Sequence, residues 1–340
     1  MQTEEEKRKK KAKLFAKIKK AYPFLFQLDI PDEHIPILSN HLDMIKRGET
    51  EAYYTPVAKS VDPAVYAVGW QRIFNANLHR MNDVLTELEL SNRAKFGPRS
   101  ISVPWAERVA SLKASYKSQD ENHIPRFDYT PGDGKLITIP FNNAVKEMQG
   151  ASSAGLPFLT KKATAVTKLL ADYDTYLSRK DACMLYTRTA ERSKTRNVWG
   201  FPFADTIFEL MFYIPLLELQ QTKFYRAALV SPDVVSQRIS VLIHKARSRG
   251  CVLYSVDFAG FDSSVLYQYI VKSFEYIKSC YSPLFHAALD VVCERIYSIT
   301  ILTPSGVLTG KHGVPSGSTF TNEIDSIIQL GIAMTCKFIL

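Results

Sequence analysis

The sequence predicts an α+β protein dominated by helix. Apolar residues recur at three- and four-residue intervals through residues 37–150, as in Phe74, Leu78, Met81, Val84, Leu85 and Leu88. The same spacing returns from Val265 to Tyr281, with Leu266, Ile270, Phe274 and Ile277 on one side. Short β-prone runs bounded by turn residues supply the strands. The clearest is Ile299–Thr303, Pro304-Ser305-Gly306, Val307–Thr309, which reads as a β-hairpin. With 340 residues, 46% of them hydrophobic, the chain can bury a core of two or three domains or of one multi-part enzyme.

In chain order, Glu4 to Glu6 precede the basic block Lys7–Lys13, then Leu14, Phe15, Ile18 and Tyr22. Acidic first turn, basic later turns and spaced apolar residues predict an amphipathic helix, a basic arm or a helix packed by its stripe. Pro23, Pro31 and Pro36 predict a linker over 23–36. The turn Thr130–Gly134 is followed by Lys135–Ile139, which reads as a strand. Ser152-Ser153-Ala154-Gly155-Leu156-Pro157-Phe158 is small and turn-prone, a loop whose hydroxyls and N–H groups could hold phosphates or simply face water.

Arg188, Arg192, Lys194 and Arg196 lead into Val198-Trp199-Gly200-Phe201-Pro202. Lys194 and Arg196 share one side of a strand, and the apolar residues after them argue against a purely solvated run. Asp205–Leu217 reads as a core helix without chemistry of its own, interrupted by Pro215. Cys251–Phe258 reads as a buried strand delivering Asp257 at its end. Gly260 permits a turn, and Asp262 opens the next segment. Two neighbouring carboxylates need a cation to stay ionised, and Mg²⁺ favours such oxygen ligands. Gly313-Val314-Pro315-Ser316-Gly317-Ser318 is a loop. Thr319–Asn322 can cap the helix after it, on which Thr321 and Asp325 share a face.

The net charge of +9 favours a polyanionic partner. Five cysteines, Cys183, Cys251, Cys280, Cys293 and Cys336, have no Cys-x-x-Cys spacing, which argues against zinc and for free thiols in a reducing compartment. Histidines are scattered, and Gly132-Asp133-Gly134-Lys135 is not a phosphate-binding P-loop. No apolar run is long enough to span a bilayer and no signal peptide is evident, so the expectation is an intracellular, soluble protein.

Four of these features, in this order, resemble the RNA-directed RNA polymerases of double-stranded RNA viruses, those of partitiviruses and their picobirnavirus relatives most closely. Ser152–Phe158 resembles the template-contacting loop of the fingers. Lys194-Thr195-Arg196 with Val198-Trp199-Gly200 resembles the nucleotide entry motif. Asp257-x-x-x-x-Asp262 resembles the first palm motif and Gly313–Asp325 the second. The resemblance runs from about residue 150 onwards. Many viral polymerases carry asparagine where Asp325 stands, and a carboxylate can accept a bond from a 2′-hydroxyl but not donate one. The family's Gly-Asp-Asp turn occurs nowhere in the 340 residues.

The resemblance implies a right-hand polymerase fold of fingers and partial palm, with the thumb absent. The expected divisions are an arm and linker (1–36), an N-terminal extension and fingers (37–204), a palm part with the first motif (205–285), a fingers insertion with the hairpin (286–312) and the truncated second palm motif (313–340). It implies nucleotidyl transfer by two Mg²⁺ (or Mn²⁺) ions. Asp257 would bind metal, and Asp257 and Asp262 are the catalytic candidates. Arg188, Lys194 and Arg196 would bind the triphosphate. Asp262, Thr321 and Asp325 would sense the ribose. Ser152, Ser153, Gly155 and Pro157 would touch template, and Ser316 and Gly317 template or incoming nucleotide. Implied partners are template and nascent RNA, ribonucleoside triphosphates and a capsid protein, with no membrane, in the host cytoplasm or inside the virion. Without the third motif the chain is expected to be a fragment that does not polymerise alone. The competing readings are a non-catalytic RNA-binding remnant or scaffold protein, and a reverse transcriptase, which shares the palm.

Overall fold

The structure, a computed structural model, describes residues 4–49, 62–94, 102–116, 129–189 and 195–337. Helices dominate, and one four-stranded sheet runs in the order β2-β1-β3-β4, formed by Cys183–Thr189 (β1), Thr195–Gly200 (β2), Ile301–Thr303 (β3) and Gly306–Leu308 (β4). β1 and β3 are parallel, with Cys183 opposite Ile301 and Met184 opposite Leu302. The predicted hairpin is β3–β4. Its turn is held by the Thr303 hydroxyl, which donates to the Gly306 carbonyl at 2.8 Å.

The chain forms two compact units. One comprises residues 1–110, 185–198 and 303–306. In it, α1 (Glu4–Ala21) is a basic, mostly exposed helix that buries Ile18, and Tyr22 just after it donates to Asp43 Oδ1 at 2.6 Å. Asp43 lies on α2 (His34–Arg47). The stretch expected as a linker holds a 3-10 turn, Pro23–Gln27, with Leu25 fully buried. The apolar series Phe74 to Leu88 spans two helices, α3 (Pro63–Asn77) and α4 (Asp83–Ala94), with Leu78 and Met81 between them around a 3-10 turn. Asn82 divides them because its side chain accepts from Leu85 N at 2.9 Å, satisfying a helix-start donor. Helix α5 (Trp105–Ala114) anchors through Trp105, whose indole donates to Ser305 Oγ at 2.7 Å.

The second unit comprises residues 111–184, 199–302 and 307–340. Its helices include α6 (Phe141–Lys146), α7 (Lys162–Ala171), α8 (Tyr173–Ser178), α9 (Phe203–Gln221), α10 (Pro232–Arg249), α11 (Phe261–Ser264), α12 (Tyr267–Cys280), α13 (His286–Ser298) and α14 (Thr321–Lys337). Helix α12 buries Ile270, Phe274 and Ile277, as its periodicity predicts, against Phe212 and Leu216 of α9 and Phe320, Ile324 and Ile328 around α14. Pro215 does not end α9, although a proline leaves the carbonyl four residues earlier without its helical donor. That carbonyl, on Met211, accepts instead from Ile139 N at 3.1 Å.

Two strand expectations fail. Lys135–Ile139 makes only an isolated bridge, Leu136 with Tyr281, and leaves Ile137 exposed. Cys251–Phe258 is neither a strand nor buried: Tyr254 is 85% exposed and Val256 70%. A β-prone sequence becomes a strand only where a second strand pairs with it, and none of the described residues does. No described helix is long and apolar enough to cross a membrane. Four described cysteines are unpaired, three of them buried, and Cys251 is exposed.

Candidate functional site

The site lies in the second unit, where two glycines bring loops from distant parts of the sequence together. Gly155 has φ +63°, and a Cβ there would stand 2.9 Å from the Phe201 carbonyl oxygen. The loop around it closes through Ala154 N to Thr160 O (2.8 Å) and Lys162 N to Ser152 O (2.9 Å). Gly317 sits tighter still: a Cβ would fall 1.6 Å from the Trp199 carbonyl oxygen. The segment 199–201 therefore touches the 152–158 loop and the 313–318 loop, and only a residue without a side chain permits either approach.

The first palm-like motif joins the same cluster. Val314 N donates to the Asp262 carbonyl at 2.9 Å, which ties α11 to the 313–318 loop. The Asp325 carboxyl, from the second turn of α14, neighbours that of Asp262. Burial, then the neighbouring Asp262 charge, pushes Asp325 up to about 8. Two neighbouring carboxyl groups cannot both ionise cheaply, so Asp325 keeps its proton. Asp325 Oδ1 is buried with no hydrogen-bond partner. Thr321 Oγ1 lies 2.9 Å from the Pro315 carbonyl and 2.8 Å from that of Ser318, closing the loop onto its helix. Ser316 and Gly317 form its exposed tip.

Charges that the sequence reading passed over fix this arrangement. Helix α9, expected to carry no chemistry, buries Asp205 and Glu209. Glu209 Oε1 accepts from Ser318 Oγ at 3.0 Å and Oε2 from Thr319 N at 2.6 Å. Burial pushes Glu209 up to about 7, against the lowering effect of those hydrogen bonds. Asp205 pairs with Arg295 through two bonds, 2.7 and 3.2 Å. Arg226 meets Glu323 at 2.5 Å and Asn322 Oδ1 at 2.7 Å, beneath the first turn of α14. His312 is buried with its two ring nitrogens 2.8 and 2.9 Å from the Gly313 and Ile299 carbonyls, and its ring packs 4.5 Å from that of Trp199. Burial lowers the His312 pKa. A Glu inside an otherwise apolar helix run was the one signal in the sequence that could have flagged Glu209.

Gly155, Asp262, Gly317, Thr321 and Asp325 meet in the contacts above, and Pro157 is buried in the same loop. The Ser152 hydroxyl donates to the Gln149 carbonyl at 2.7 Å, while Ser153 is exposed. Arg188 and Arg196 are exposed on β1 and β2 in the other unit, and Lys194 lies outside the described residues. Asp257 is exposed, and among the described residues no hydrogen bond or ion pair links it to Asp262. Among the described residues no group of three or more His, Cys, Asp or Glu could hold a metal ion. A single exposed carboxylate does not make a metal site, so these residues do not by themselves fit the implied Mg²⁺.

The family model for viral RNA-dependent RNA polymerase matches residues 138–338. The potential RNA-dependent RNA polymerase of a human picobirnavirus is 25% identical over 334 residues, covering 86% of this chain and 60% of that protein. The crystal structure of the RNA-dependent RNA polymerase of a human picobirnavirus superposes with a TM-score of 0.71 at 22% identity, over 91% of this chain and 64% of that one. An insertion-loop deletion mutant of that polymerase gives 0.72 at 22% identity, over 89% and 65%. The structural likenesses show the fold, and the chain spans about three fifths of the length of the curated relative it matches. With more than half of its residues under the family model, and the 152–158, 199–201, 257–262 and 313–325 segments all inside that match, the chain belongs to the viral RNA-dependent RNA polymerase family.

Proposed function

We propose that the chain is the fingers and partial palm of an RNA-directed RNA polymerase. The observation that supports this most is the convergence of the 152–158 loop, Trp199–Phe201, Asp262 and the 313–318 loop, all far apart in sequence. In this reading the exposed tip Ser316-Gly317 lies against template or incoming nucleotide, and Ser152, Ser153, Gly155 and Pro157 border the template. Asp262, Thr321 and Asp325 face the ribose. A protonated Asp325 carries one O–H, which supplies the donor that a carboxylate lacks. Arg188, Lys194 and Arg196 neutralise a triphosphate, with the planar Arg fork and the Lys point charge dividing that work. The family's chemistry is in-line attack by a 3′-hydroxyl on an α-phosphate, aided by divalent cations. The described residues supply one candidate ligand, Asp257. RNA template, nascent strand and ribonucleotides are the proposed partners, in a viral replication complex.

The test is incorporation of ribonucleotides on a single-stranded RNA template with Mg²⁺ supplied. Binding of the RNA template is expected, and Asp257→Asn is expected to abolish any synthesis. Synthesis indifferent to Asp257 would sink the assignment of that residue. Failure to bind RNA would sink the reading as a whole.

A further inference from the structure

Glu209 is a buried acid beside the 313–318 loop. It is fully buried on α9, and both of its oxygens are spent on one short stretch of chain, Ser318 Oγ and Thr319 N. Ser318 Oγ in turn accepts from Phe320 N at 3.1 Å, so the carboxyl reaches three consecutive residues. Those residues lie between the exposed tip Ser316-Gly317 and the first turn of α14. On its other flank the tip is wedged by Gly317 against the Trp199 carbonyl. A buried carboxyl is an expensive way to hold a loop for stability alone, since an apolar contact would cost less. Its use suits a tip that must keep one position while a charged strand moves past it.

We propose that Glu209 is a positioning residue: its carboxyl clamps Ser318 and Thr319 so that Ser316 and Gly317 stand in place for RNA. The inference rests on the polymerase reading for its ligand, whereas the clamp itself does not. The charged groups around Glu209 are Lys162 of α7, Asp205 of its own helix with Arg295 of α13, and Lys180 and Glu294 across a cavity of about 350 Å³ that Glu209 also lines.

Hydrogen exchange of the 340-residue chain reads the clamp, and anisotropy of a single-stranded RNA oligonucleotide reads its consequence. Glu209→Ala is expected to speed exchange at Thr319 about tenfold or more and to weaken RNA binding severalfold, with protection of α12 unchanged. Glu209→Gln, which keeps an acceptor for Thr319 N, restores both. Equal loop exchange in wild type and Glu209→Ala overturns the proposal. So does a loosened loop with unchanged RNA affinity. If Glu209→Ala lowers α12 protection as well, Ser318→Ala decides: the loop and RNA affinity must respond with α12 intact, and no response overturns the proposal. Wild-type protein that binds no RNA overturns the polymerase reading, and loop exchange still judges the clamp.

Discussion

Replacing Gly317 with alanine places a methyl group where the backbone of another segment already stands. The added Cβ would lie 1.6 Å from the Trp199 carbonyl oxygen and 2.7 Å from its carbon. Neither atom can swing aside as a side-chain tip could, so the loop and the 199–201 segment must part by more than ~1 Å. Overpacking of this kind costs ~1–3 kcal/mol, which for a unit of this size lowers Tm by roughly 2–12 °C. If the loop yields instead of the body, the cost moves from stability to function, because a displacement of about 1 Å at a reacting site can cost ~10²-fold in rate. Gly69→Ala is the control: it lies within α3 with nothing within 4 Å of an added Cβ. Alanine there gains up to ~1 kcal/mol of helix propensity. Thermal unfolding and RNA anisotropy of the two variants check both limbs. Gly317→Ala with wild-type Tm and wild-type RNA affinity would refute the claim that this loop is wedged against Trp199.

Other outcomes follow from the buried charges. Arg226→Ala leaves Glu323, 0% exposed, without its cation; the expected loss is ~3–5 kcal/mol in thermal or denaturant unfolding. Replacing Arg226 and Glu323 together by Met and Leu recovers most of it. The raised pKa of Asp325 means that its contribution to stability is fully present below the ordinary carboxylate range and is lost as pH climbs through about 8. Asp325→Asn removes that part of the pH dependence, and a stability profile unchanged in shape would argue against a proton held on Asp325. Gly155→Ala, at φ +63° and 2.9 Å from Phe201 O, destabilises the 152–158 loop, read as faster proteolysis or exchange there.

The residues legible in the sequence were those whose type is forced by local geometry. Gly155 and Gly317 sit where no side chain fits, and Thr321 and Asp325 share a helix face by their spacing alone. The α12 stripe was readable for the same reason. The partners that stabilise the cluster were not readable, because they are separated by about a hundred residues: Glu209 from Ser318, Arg226 from Glu323, Arg295 from Asp205. Periodicity marks α9 as a core helix but does not say that two of its acids are held inside by distant donors. Helix breaks that rest on one side chain, as at Asn82, were masked by a continuous apolar series. Strand propensity at Lys135–Ile139 and Cys251–Phe258 likewise states a preference and not a neighbour.

The exposed run Val252-Leu253-Tyr254-Ser255-Val256 carries a practical consequence. Its β-branched and aromatic residues, free of charge and of proline, present backbone donors and acceptors to solvent beside bulky apolar groups. Such a ribbon is adhesive towards any extended polypeptide, including another copy of itself. A preparation of these 340 residues will therefore stay dispersed only while dilute or while something lies along that ribbon, and its turbidity on concentration will report whether the ribbon has found company.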